Sequence, residues 1–161
     1  IKAEEMDSTL PEIVEFYSLI QTMKKTGVAL IPQTILNYST KKLYQTEKEN
    51  LLKNWYNSGL WYGKFLQAKF ENPTESLKKF LATCFWEITE IEVTKRENDK
   101  LSLRVIAPGQ PQKNTELLLK FIDGIMAALN YKILKEECWK GIIILELEKR
   151  KEPLELELEE I

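Results

Sequence analysis

Five glutamates, Glu87, Glu90, Glu92, Glu136 and Glu137, are by type the residues best suited to acid–base work, and their spacing argues against it. They alternate with apolar neighbours in segments of strand pattern, which marks the solvated face of a sheet, and no two stand apart as an acid and a base. Nucleophile and metal chemistry is narrower still. The chain contains no histidine, which removes Ser-His and Cys-His pairs, imidazole ligation of haem and most catalytic zinc sites. Cys84 and Cys138 lie far apart in apolar surroundings and read as reduced core thiols rather than a disulfide framework. The stretch "APGQPQ" around Gly109 is a turn and not a phosphate cradle, because no Gly-Lys-Ser/Thr follows it. No catalytic residue, metal or cofactor is expected, and the chain reads as a non-enzyme.

The passage that asks for an explanation is "NWYNSGLWYGKF", residues 54–65. It sets Gly59 and Gly63 four apart in a helical pattern, among Trp55, Tyr56, Trp61, Tyr62 and Phe65. Each glycine costs a helix interior about 1 kcal/mol relative to alanine, so something must lie against the bare backbone. One reading is packing: a small-residue notch crossed closely by a later helix that carries its own Gly124, Ala127 and Ala128. The other is binding: the notch borders an elongated apolar cavity walled by Trp55, Tyr62, Leu66, Phe121, Ile125 and Leu129, a lining suited to hydrocarbon or small aromatic ligands. The two can coexist. The candidate site is then Trp55, Gly59, Tyr62, Gly63, Leu66, Phe121, Gly124, Ile125, Ala128 and Leu129, with Gly63 the packing position and Gly59 nearer any ligand.

The elements that must position these residues are helices first and strands later. Thr9 and Glu12 frame a capping box for a helix carrying Ile13, Phe16, Tyr17 and Ile20, stopped by Lys24, Lys25 and Gly27. Pro32 opens a second helix whose apolar face is Ile35, Leu36 and Leu43, although Asn37–Thr40 is poor helix sequence. A long helix runs from Glu47 to about Phe70, and Asn72 and Pro73 start another that buries Leu77, Phe80, Leu81, Cys84 and Phe85. The period then changes to a hairpin through "KRENDK", ended by Pro108 and Gly109. A helix apolar nearly all round follows, from Leu117 to Leu129, and then a second strand pair turning at Lys140-Gly141. The expected architecture is α+β: N-terminal helices and an antiparallel four-stranded sheet built of two hairpins with a central helix between them.

Composition limits what such a domain can do. With 161 residues and 43% hydrophobic content, one sizeable core is expected over residues 1–150. Residues 151–161, "KEPLELELEEI", read as an acidic tail, mobile or partner-dependent, because Pro153 opposes smooth continuation of the preceding strand. A net charge of −2 gives no basic surplus for nucleic acid. No apolar run approaches the roughly 18 residues of a membrane span, and no signal-peptide pattern stands out, so a cytoplasmic location is expected.

The succession "YNSGLWYGKFL", "CFWEITEIEV" and "LLLKFIDGIMAALNYKILKEECWKGIIILELE" resembles the 4-vinyl reductase, or hydrocarbon-binding, family. Its superfamily also holds the TRAPP vesicle-tethering subunits and, distantly, the ligand-binding fold of haem-type nitric oxide sensors. The resemblance covers roughly residues 50–149 and rests on Gly59 with Gly63, Phe121 with Gly124, and Glu137, Cys138 and Gly141. It implies a non-enzymatic domain that binds a small hydrophobic ligand as sensor or carrier in a homodimer, or alternatively a TRAPP-like scaffold that recruits protein partners. Many family members place further cysteines after the closing glycine in a metal-binding pattern. Here Ile142, Ile143, Ile144 and Leu145 stand instead, so no metal is carried over. An apolar surface too large for one domain to cover makes a two-fold dimer the simplest closed arrangement.

Overall fold

The computed structural model describes residues 11, 13, 14, 17, 18, 20, 21, 31–97 and 99–151. The chain divides into two compact units, Ile1–Gln33 and Thr34–Ile161. In the first, Pro11, Ile13, Val14, Tyr17, Ser18, Ile20 and Gln21 are helical, as the capping-box reading expects. Its framing residues Thr9, Glu12, Lys24, Lys25 and Gly27, like the acidic tail from Glu152 onward, lie outside the described residues.

From Gln33 onward the order is α1 (Gln33–Thr46), α2 (Lys48–Lys69), α3 (Pro73–Cys84), β1 (Glu90–Lys95), β2 (Lys100–Ile106), α4 (Gln112–Ala128), β3 (Tyr131–Trp139) and β4 (Ile142–Lys149). The fold is α+β, with the antiparallel sheet ordered β1-β2-β4-β3. Each hairpin supplies two neighbouring strands, and α4 connects them. Pro73 at the first helical position starts α3, although the Asn72 side chain makes no capping bond. Asn130, in the left-handed region at φ 68°, ends α4 and turns the chain into β3.

Register places one side chain each from β1, β2 and β4 in line across the inner face. Ile91 pairs with Val105, and Val105 with Ile143; Val93 pairs with Leu103, and Leu103 with Leu145. Ile91, Leu101, Leu103, Val105, Ile143, Leu145 and Leu147 are buried here against Leu118, Ile122, Ile125 and Met126 of α4 and Leu77, Phe80 and Leu81 of α3. The opposite face carries ion pairs, Arg104 with Glu90 and Glu92, Lys132 with Glu148 at 2.9 Å and Lys135 with Glu137 at 2.6 Å, beside an apolar end formed by Ile106, Ile142, Ile144 and Trp139. A register shift between Ile133 and Lys135 inserts Leu134 as an extra residue in β3, which bends that edge strand and discourages pairing with another chain.

The α1 helix departs from expectation in rotation. Ile35 and Leu43 do not face the core; the inward side is Leu36, Asn37, Thr40 and Tyr44, of which only Thr40 is buried. Polar ties set this rotation. Asn114 donates to Asn37 at 2.6 Å, Tyr44 donates through its hydroxyl to Glu116, and Lys48 at the head of α2 pairs with Glu116 at 3.3 Å. The hydrogen-bonding face therefore turns in and the larger apolar side chains turn out.

Candidate functional site

Helices α2 and α4 meet backbone to backbone. A Cβ added at Gly59 would overlap the carbonyl oxygen of Phe121 and lie 3.1 Å from the Ile125 nitrogen. One added at Gly63 would stand 2.5 Å from the Ala128 Cβ and 2.8 Å from the Ile125 oxygen. The contact is reciprocal, because a Cβ at Gly124 would overlap the carbonyl oxygen of Tyr56 and lie 2.8 Å from the Leu60 nitrogen. Small residues four apart on both helices, Gly59 with Gly63 and Gly124 with Ala128, let the two backbones interlock. The expected difference between the glycines is not seen: both lie under α4, and Gly59 meets its main chain at least as closely as Gly63 does.

Beside this crossing the aromatic residues gather around one ring. Phe121 is contacted by Phe85 at 5.4 Å, Tyr62 at 5.6 Å, Trp55 at 6.2 Å and Phe80 at 6.3 Å between centroids. Trp55 and Phe85 present edges to it, at 77° and 66°, the arrangement that suits the ring quadrupole. Leu66, Ile125 and Leu129 lie in the same core, fully or almost fully buried. The residues singled out from sequence thus fall into two groups. Gly59, Gly63, Gly124 and Ala128 form the crossing, whereas Trp55, Tyr62, Leu66, Phe121, Ile125 and Leu129 form the aromatic and aliphatic cluster next to it. Phe80 and Phe85 complete that cluster. Their helical spacing identified a buried stripe, but only the path of the chain after α3 shows that the stripe ends on Phe121.

The cluster reaches the surface through Trp55, Tyr62, Phe65 and Phe85, each partly exposed. A separate open cleft of about 480 Å³ lies between α3 and β1, lined by Thr74, Glu75, Lys78, Val93, Thr94 and Lys95. None of the site residues expected from sequence borders it.

The thiols sit in different surroundings. Burial pushes Cys84 up to about 12, which holds it in the unreactive thiol form. Cys138 is also raised, by burial first and then by the negative charges of Glu116 and Glu136, but it is half-buried and closer to solvent. Among the described residues, no group of three or more histidines, cysteines, aspartates or glutamates could hold a metal ion. No described helix is long and apolar enough to cross a membrane.

Sequence reasoning missed the Tyr44 network entirely. The Tyr44 ring lies 4.7 Å from Lys48 Nζ and 5.3 Å from Lys113 Nζ, with its hydroxyl on Glu116. Burial raises the Glu116 carboxyl, but hydrogen bonds from Tyr44, Gln112 and Lys48 outweigh it and leave the group below its ordinary value. Nothing in the spacing of Tyr44 and Glu116, 72 residues apart, announces this contact.

No family model matches the chain, and no curated protein matches it. A solved structure described as "Probing the function of heme distortion in the H-NOX family" is similar over 96% of this chain and 95% of that one, at 12% identity and a TM-score of 0.48.

Proposed function

We propose that this chain is a non-enzymatic binding domain that works as a homodimer, with the outward side of α1 as its contact surface. The observation that carries the reading is the exposure of that helix. Ile35 is 57% exposed, Tyr38 69% and Leu43 41%, while α1 buries only Thr40. A helix of 14 residues is marginal by itself, and large apolar side chains turned outward on it are the mark of a protein contact. A two-fold arrangement closes such a surface with one kind of contact and exposes no new edge. Protein partners of the TRAPP-like kind would use the same surface. Sedimentation equilibrium of wild type and of an Ile35→Ser/Tyr38→Ser variant tests it. The expected result is a dimer that becomes a monomer with an unchanged far-ultraviolet circular dichroism spectrum and a melting temperature that no longer depends on protein concentration; a wild type that stays monomeric at micromolar concentration refutes the proposal.

A second reading is favoured by the partial exposure of Trp55, Tyr62 and Phe85 around Phe121. Here a small hydrophobic molecule is held against the open side of the aromatic cluster, and the domain acts as sensor or carrier. Native mass spectrometry of the purified protein separates the readings, since a co-purified apolar ligand supports the second and its absence together with a dimer supports the first.

A further inference from the structure

The segment between α3 and β1 and the turn between β2 and α4 meet at Glu87 and Gln110. Both are firmly placed: Ile88 donates its N–H to the Phe85 oxygen at 3.0 Å, Thr89 to the Ile106 oxygen at 2.8 Å, and Gln110 to the Ala107 oxygen at 2.9 Å. Gln110 is only 3% exposed, an unusual position for an amide side chain. Its Nε2 donates to Glu87 Oε2 at 3.3 Å. That bond fixes which way the amide points, because the flipped head would set oxygen against carboxylate oxygen. The two remaining oxygens, Glu87 Oε1 and Gln110 Oε1, are both buried and neither has a hydrogen-bond partner.

These are two acceptors, one of them carrying carboxylate charge, on head groups already in contact. Among the described residues no lysine or arginine pairs with Glu87. Glu87 is half-buried, but its Oε1 is shielded from solvent without a counter-charge, which is costly, and an unmet amide oxygen adds to the cost. A water molecule donating to either oxygen would satisfy it and leave the charge uncompensated. A divalent ion is usually held by several carboxylates, whereas a single carboxylate is present here. A hard cation of single charge matches both the oxygen ligands and the charge.

We propose that Glu87 Oε1 and Gln110 Oε1 form part of a binding site for one small monovalent cation, sodium, potassium or ammonium, at the junction of these two loops. The bound ion ties the entry of β1 to the start of α4, the helix on which the whole core is built.

The test compares full-length protein in sodium, potassium or ammonium chloride with protein in choline chloride at equal ionic strength. The expected result is a melting temperature that rises with the logarithm of small-cation concentration, with the slope of one ion released on unfolding, and stays flat in choline. In Glu87→Gln, which removes the charge and keeps the shape, that dependence disappears. A direct readout runs alongside: the side-chain amide signals of Gln110 shift saturably when potassium replaces choline. Identical melting in all chlorides, as a buried water alone would give, overturns the site. So does a cation dependence undiminished in Glu87→Gln, and, should that variant fail to fold, so do Gln110 signals in wild type that do not move.

Discussion

Replacing Gly59 or Gly124 by alanine puts the helix crossing to a direct test. Two terms oppose each other. Alanine is the better helix former by about 1 kcal/mol, so a glycine with space around it is stabilised by the change. Against this, the new methyl at Gly59 would overlap the Phe121 carbonyl oxygen and sit 2.9 Å from its carbon, and the methyl at Gly124 would overlap the Tyr56 carbonyl oxygen. Main-chain atoms cannot rotate aside as a side chain can, so α2 and α4 must part along their length. Overpacking of this kind costs about 1 to 3 kcal/mol, and its upper range applies where backbone meets backbone. The net expectation is a loss of about 1 to 2 kcal/mol for each variant, a fall in melting temperature of roughly 2 to 8 °C for a chain of this size. Thermal unfolding followed by circular dichroism reads it. Gly109 is the internal control, since a Cβ there meets nothing within 4 Å. Gly109→Ala should melt at or slightly above wild type, by the lowered entropy of the unfolded chain. Gly63→Ala should lose stability and regain part of it when combined with Ala128→Gly, which removes the Cβ 2.5 Å away but leaves the Ile125 oxygen at 2.8 Å. If Gly59→Ala and Gly124→Ala both melt at or above wild type, the crossing does not carry the fold as argued.

Other positions give shorter tests. Gly141 sits at φ +71°, and a Cβ there would overlap the Ala107 oxygen, so Gly141→Ala should destabilise in denaturant titration by about 1 to 3 kcal/mol. Thr115→Val removes the oxygen that accepts the Gly141 N–H at 2.9 Å and should cost about 1 to 3 kcal/mol by leaving a buried donor unmet. Alkylation followed by mass spectrometry should modify Cys138 before Cys84, whose thiol at about 12 stays protected at neutral pH until the protein unfolds. Glu116 lies below its ordinary value of 4.5 in the folded chain. Its contribution to stability is therefore present above that value and is lost as pH falls through the lower folded one, so Glu116→Gln should flatten this part of the acid limb in a pH series of melts.

The fold was largely legible in the chain because its patterns are strong and local. The change from helical period to alternation after Phe85, the polar turn before Leu101, and the all-round apolar helix from Leu117 to Leu129 each dictate one element and its burial. The alternation of the first hairpin likewise points to the face on which Leu101, Leu103 and Val105 are buried, whereas the unbroken aliphatic run Ile142–Leu145 names no face by itself. What was not legible depended on partners distant in sequence. The apolar spacing of Ile35 and Leu43 suggested an inward face for α1, yet the helix is rotated by Tyr44 and Asn37, whose partners Glu116 and Asn114 lie on α4. At the candidate site the small residues could be read as a notch, but which glycine faces which carbonyl is set by the crossing geometry, and that has no signature in spacing.

Phe121 joins the two halves of the site. Its carbonyl oxygen is the atom that fills the space left by the missing side chain of Gly59, while its ring is the centre on which Trp55, Tyr62, Phe80 and Phe85 converge. The ring is therefore attached to a backbone pinned by the helix crossing, and it is itself almost fully buried. A molecule that entered between Phe121 and Phe80 would have to displace a ring with no direction in which to move. Trp55 and Phe85 are different, because both are partly exposed and stand at the edge of the cluster with 6.3 Å between their centroids. If the domain takes a small hydrophobic molecule, the approach with the least rearrangement is between these two rings, and Trp55 fluorescence is the property that should respond. A probe that binds without altering that emission would place the contact elsewhere, and would leave the outward side of α1 as the surface to which binding belongs.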